Sequence, residues 1–117
     1  MTVPRWAVTS QRRREHIARV VALLEGWARA LGIPDDEAAR WRDAGRWHDA
    51  LRDADEAVLR ALVPALALPP QLLHGPAAAA RLEADGERRQ DVLEAVRWHT
   101  VGCAGWERTG RALYMAD

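Results

Sequence analysis

The feature that most constrains this chain is the stretch from Ser10 to Leu31. Within it Ile17, Val20, Val21, Leu24, Trp27, Ala28 and Leu31 recur at i, i+3, i+4 and i+7, the rhythm of one apolar stripe along a helix. Such a helix is stable only when the stripe is covered by other elements. No other stretch alternates apolar and polar residues as a half-buried strand does, so the covering elements are expected to be helices. The expected fold class is all-α, a compact bundle of about five to six helices in one domain spanning residues 1–117.

The remaining helices follow from their stop signals. Ser10 caps the first, and Gly32 with Pro34 closes it. A second is expected from Asp35 or Asp36, with Glu37 in an acidic first turn, to about Asp53. On its wheel Trp41, Gly45, His48, Asp49 and Arg52 share one side. A short helix over 54–63 ends at Pro64 and the Pro69–Pro70 pair. LLHGP at 72–76 leads into a fourth helix, with Pro76 in its first turn, that stops at Asp85–Gly86. A fifth is expected over 87–99 with Val92, Ala95, Val96 and His99 on one face, then a loop, then a last helix over 106–117.

Arginine supplies all 17 basic residues, balanced by 17 acidic ones, so no electrostatic footprint for nucleic acid or an anionic membrane is present. With Cys103 as the one cysteine there is no disulfide framework, and a cytoplasmic setting is expected. The first residues read as no signal peptide, and no run approaches the ~18 apolar residues that span a bilayer. Monomer and homodimer both remain open, because the six tryptophans suit either a core or an interface.

Against this background the histidines stand out. His16, His48, His74 and His99 fall on four different segments, each on or beside an apolar face, and two carboxylates join them: Asp49 and Asp117. Imidazole and carboxylate suit zinc, iron or manganese. Ligands from five segments can meet only inside a helical bundle.

The motifs are RREH at 13–16, HDALR at 48–52, LLHGP at 72–76, RWHTVG at 97–102 and ALYMAD at 112–117. In order and spacing they resemble the HD superfamily of metal-dependent phosphohydrolases, and in wording the bacterial YqeK-type proteins, which cleave diadenosine tetraphosphate symmetrically into two ADP. The resemblance implies one metal on His16, His48, Asp49 and Asp117, and a second on His74 and His99, with Asp49 bridging. The metals it implies are two divalent or trivalent ions, iron first, with manganese, cobalt and zinc as alternatives. Ions ~3.5–4 Å apart activate a water between them for in-line attack on phosphorus.

Arg52 stands where the family commonly has lysine and is the first choice for a phosphate clamp; Arg13, one turn before His16, is the second. His74 is also expected to border the substrate. Trp98, beside His99, and Trp106 are expected to pack in the bundle and are the aromatic residues placed to stack on an adenine. The family pattern continues with further helix past its last Asp, whereas this sequence stops on Asp117. The expectation is therefore a C-terminally shortened HD domain with a small-molecule nucleotide as its partner.

Overall fold

The computed structural model describes residues 3–117. They form α1 (Gln11–Ala30), α2 (Asp35–Trp47), α3 (Glu56–Leu62), a 3₁₀ turn (Pro70–Leu72), α4 (His74–Ala84), α5 (Gln90–Arg97) and α6 (Arg108–Ala116), with no strand among the described residues. The all-α expectation holds. None of these helices is long and apolar enough to cross a membrane.

The ends of α1 obey the sequence signals. Ser10 Oγ accepts from the Arg13 N–H at 3.1 Å, satisfying one of the free donors of the first turn. At the other end Gly32 adopts φ +66° and Ile33 N–H closes back on the Ala28 carbonyl at 2.9 Å, a Schellman ending that only a residue without Cβ enters freely.

The second helix departs from expectation. It ends at Trp47, so that His48 is its cap and residues 49–53 form turns. Two causes are visible. The Gly45 carbonyl, which a continuing helix would offer to the Asp49 N–H, accepts instead from the His48 ring at 2.7 Å. In addition, the extended segment before α1 grips the turn: Val8 N–H donates to Ala50 O at 2.8 Å, Asp53 N–H to Val8 O at 3.2 Å, and Ser10 N–H to Asp53 Oδ2 at 2.9 Å. The fifth helix is likewise shorter than expected. It begins at Gln90, because Glu87 Oε2 captures the backbone N–H groups of Arg88 and Arg89 at 3.0 and 2.9 Å, and it ends at Arg97.

Two apolar clusters hold the helices together. Val20, Leu24, Ala28, Trp41, Ala44, Val92, Ala95 and Leu113 join α1, α2, α5 and α6. Leu51, Leu59, Leu73, Ala77, Ala78, Ala79, Leu82, Leu93 and Val96 join α3, α4 and α5. α5 therefore faces both, with Val92 and Ala95 on one side and Leu93 and Val96 on the other. Small residues make the approach close. A Cβ on Gly75 would lie 2.8 Å from the carbonyl oxygens of both Val96 and Arg97, so α4 touches the backbone at the end of α5. Each buried Leu or Val contributes about 1.5–3 kcal/mol, and with α2 held by the first cluster, α4 by the second and α5 by both, their ends come together.

Candidate metal centre

Those ends carry the histidines. His48 caps α2, His99 follows α5 by two residues, and His74 opens α4. His16 lies on α1, and Asp117 caps α6. His48, Asp49, His74 and His99 are buried at 0 to 3% exposure, whereas the side chains of His16 and Asp117 are each 24% exposed.

The ligand atoms form two groups, each within 4.8 Å of one another: His16, His48, Asp49 and Asp117; and Asp49, His74 and His99. In the first, His16 Nε2 lies 2.8 Å and His48 Nε2 3.3 Å from Asp117 Oδ1. Asp49 Oδ2 is 3.5 Å from His48 Nε2 and 3.6 Å from His16 Nε2. In the second, Asp49 Oδ1 lies 3.2 Å from His99 Nε2 and 3.3 Å from His74 Nε2. Asp49 belongs to both groups and gives a different oxygen to each.

The hydrogen bonds of the cluster fit it to a cation. His48 Nδ1 lies 2.7 Å from Gly45 O and His99 Nδ1 2.7 Å from Val96 O. A carbonyl only accepts, so each Nδ1 carries the hydrogen, and each neutral ring then turns an Nε2 lone pair inward. Those lone pairs face carboxylate oxygens, and His74 Nε2 and His99 Nε2 face each other at 3.1 Å. Acceptors turned on acceptors in a buried place require a shared cation or protons between them. Backbone carbonyls that orient the far nitrogen are also the usual support of metal-ligating imidazoles.

The same contacts set the ionisation of the cluster when protons take the place of a cation. Burial pushes Asp49 up, but the imidazoles of His74 and His99 and the charges of His48 and His99 outweigh it, leaving its carboxyl far below the usual range. Asp117 is lowered too, by His48 and His16 against its own burial. Burial alone would lower His48; contact with Asp117 and the charges of Asp49 and Asp117 reverse the sign and raise it. His74 is lowered, chiefly by burial, with the charges of His99 and Arg52 adding to it and Asp49 opposing.

The HD domain family matches the chain over residues 13–114. The chain is an HD-domain protein. No curated protein matches it. HD-domain membership carries metal-dependent phosphohydrolase chemistry, and the histidine–aspartate cluster of this HD domain fits the metal site that chemistry needs.

The other residues singled out in the sequence are placed as follows. Arg52 is exposed in the turn after Asp49, close enough that its charge acts on His74. Arg13 is turned inward, with Nη1 donating to Asp49 Oδ2 at 3.0 Å. Trp98 is not brought into the cluster. Its indole N–H donates to Glu94 at 3.2 Å, and it lines a separate groove of about 350 Å³ with Pro64, Pro76, Ala80 and Glu83. Those α4 residues lie roughly 180–240° around the helix from His74, so the Trp98 groove opens behind the site. An apolar cavity of about 390 Å³ lined by Trp27, Leu31, Trp41, Ala112 and Met115 includes none of the six ligands either.

Two parts of the site were missed in the sequence: the carbonyls of Gly45 and Val96, and the inward turn of Arg13. A signal for the carbonyls exists. Arg-Trp-His occurs twice, at 46–48 and 97–99, and each time the histidine lies just beyond a helix end with its ring on the carbonyl three residues back.

Proposed function

We propose that this HD domain holds two metal ions and hydrolyses a nucleotide phosphoanhydride, with symmetrical cleavage of diadenosine tetraphosphate into two ADP as the activity. The observation that carries the two-ion reading is Asp49, which turns one oxygen to His16, His48 and Asp117 and the other to His74 and His99. The substrate follows from the resemblance of the five motifs between residues 13 and 117 to the YqeK-type proteins. Iron is the first choice of metal, and manganese, cobalt and zinc suit the same donors.

When bound, the ions would supply a water of lowered pKa and the positive charge that neutralises phosphoryl oxygens. The protein supplies the rest. His48 and His99 are held in the ligating tautomer by Gly45 and Val96. His74 and His99 close one side against water, being 3% and 2% exposed. His16 and Asp117, each a quarter exposed, leave the other side open to a polyphosphate. Arg52 forms no side-chain hydrogen bond or ion pair with the described residues; its five N–H donors are free for phosphate oxygens beside His74.

The test is product analysis with iron, manganese or cobalt added. Two ADP per diadenosine tetraphosphate is the expected outcome; ATP with AMP would overturn the symmetrical assignment. Arg52→Ala should raise KM at least tenfold while leaving bound metal unchanged, and metal loss in that variant would sink the clamp role. A fully metallated protein that turns over no nucleotide would instead favour a metal-stabilised interaction or sensing module.

A further inference from the structure

We infer that Arg13 is a positioning residue for Asp49, and that its grip is what divides the carboxylate between the two ligand groups. The inference rests on the two-ion reading above.

A carboxylate buried among four imidazoles is not oriented by burial. Its terminal torsion is broad and two-fold, and each neutral ring that presents a lone pair pushes either oxygen equally. One contact breaks this symmetry. Arg13 Nη1 donates to Oδ2 at 3.0 Å, closer than any imidazole nitrogen approaches that oxygen, with His48 at 3.5 Å and His16 at 3.6 Å. Arginine is always charged and only donates, so it selects one oxygen. The other oxygen is then left facing His99 and His74 at 3.2 and 3.3 Å.

The backbone that carries the guanidinium is itself held. Ser10 Oγ accepts from the Arg13 backbone N–H at 3.1 Å, and Ser10 N–H in turn donates to Asp53 Oδ2 at 2.9 Å. The start of α1 and the turn carrying Asp49 are thus tied at both ends of the turn. Arg13 Nε is buried without an acceptor, an arrangement that costs stability and that a side chain free to reach solvent would avoid.

Arg13 has two opposed effects on metal. Its charge lies beside the group formed by His16, His48 and Asp117 and repels a cation there. Its hold on Oδ2 aims Oδ1 at His74 and His99 and favours a cation there. Removal should therefore separate the two ions, which neither a phosphate contact nor a purely structural brace would do.

The experiment is titration of metal-free protein with Mn²⁺ and Co²⁺, followed by calorimetry and, for cobalt, by visible absorbance, in wild type, Arg13→Ala, Arg13→Lys and Ser10→Ala. Wild type should take two equivalents. Arg13→Ala should keep one at equal or greater affinity and bind the second at least tenfold more weakly, and Arg13→Lys should restore most of the difference. Ser10→Ala, which removes the cap but keeps the guanidinium, should lower the melting temperature and retain both equivalents. Equal weakening of both ions in Arg13→Ala would overturn the inference in favour of a structural brace. Two unchanged affinities with a raised KM would overturn it in favour of a phosphate contact. A wild type that takes fewer than two equivalents removes the two-ion reading, and the role of Arg13 falls with it.

Discussion

The two sides of Asp49 are built differently. On the His74–His99 side every ligand is nearly sealed from solvent and hung on helix ends that touch backbone to backbone through Gly75. On the other side His48 is equally buried, but His16 and Asp117 are a quarter exposed and come from opposite ends of the chain, 101 residues apart. The closed side resists rearrangement because its neighbours are carbonyls and packed alanines. The open side is where water and a phosphate chain can enter. The two-ion phosphohydrolase proposed above would need both properties at once, rigid ligand geometry and access to the space between the ions.

The largest effect should come from removing the residue common to both sides. Asp49→Ala should reduce metal content to less than one ion per chain and lower kcat by at least about three orders of magnitude, about 4 kcal/mol of transition-state stabilisation. Metal analysis and ADP release measure the two losses. Retention of two ions would show that the sides are independent sites.

A subtler substitution attacks the closed side alone. In Gly75→Ala the new methyl meets the Val96 and Arg97 carbonyls at 2.8 Å and His99 Nδ1 at 3.2 Å. Backbone cannot yield cheaply, so a loss of about 1–3 kcal/mol is expected, with several degrees off the melting temperature and a weaker second metal equivalent. Gly45→Ala is the control on the open side. Its methyl meets side-chain tips, Leu24 Cδ1 at 2.8 Å and Val21 Cγ2 at 3.3 Å, which can rotate away, and the helix gains about 0.5–1 kcal/mol of propensity. Its net change should be under about 1 kcal/mol.

Proton release sharpens the contrast further. The open side holds His48, whose pKa is raised above 6.5, while the closed side holds His74, whose pKa is lowered below it. In metal-free protein the stabilising contribution of His48 is complete below 6.5 and lost as pH rises through its raised value; that of His74 is complete above 6.5 and lost as pH falls through its lowered one. Asp49 and Asp117 are already ionised and have no proton to give. Metal uptake below the raised value of His48 should therefore displace its proton on the open side, and that release should disappear as pH rises through this value. Calorimetry in two buffers of different ionisation enthalpy reads this directly. Release that does not fall as pH rises would rule out His48 as its source.

The periodic parts of this architecture were legible in the sequence, and the parts that depend on distant partners were not. The apolar stripe from Ile17 to Ala28 and the glycine closing α1 are local properties, as is the placing of each histidine beside an apolar face. The end of α2 at Trp47 depends on a ring reaching back to Gly45 and on Val8, which pairs with the turn from across the chain. No helical wheel contains that pairing. Trp98 and His99 are adjacent in sequence, yet one belongs to the groove behind α4 and the other to the site. Arg13 read as a second phosphate clamp near His16 because the carboxylate it holds lies 36 positions away.

The smallest expected effect lies outside the site, where α5 begins. Glu87 accepts from the Arg88 and Arg89 backbones and pairs with the Arg89 side chain, which also reaches Asp43 on α2 at 2.9 Å. The Arg89 side chain, with these backbone bonds, lowers the Glu87 carboxyl to about 2 against burial. A depressed carboxyl contributes stability that is complete above its ordinary value of 4.5 and lost as pH falls toward about 2. The Arg89 side chain is 35% exposed, so solvent screening keeps the contribution small. Glu87→Gln should cost no more than a few degrees of melting temperature at neutral pH, and the gap to wild type should close as pH falls from 4.5 toward 2. Because this lattice fixes where α5 starts and not where it ends, His99 stays on Val96 and metal stoichiometry should be unchanged. Loss of an ion in this variant would mean that the closed side is held by the whole of α5 rather than by its contact with Gly75.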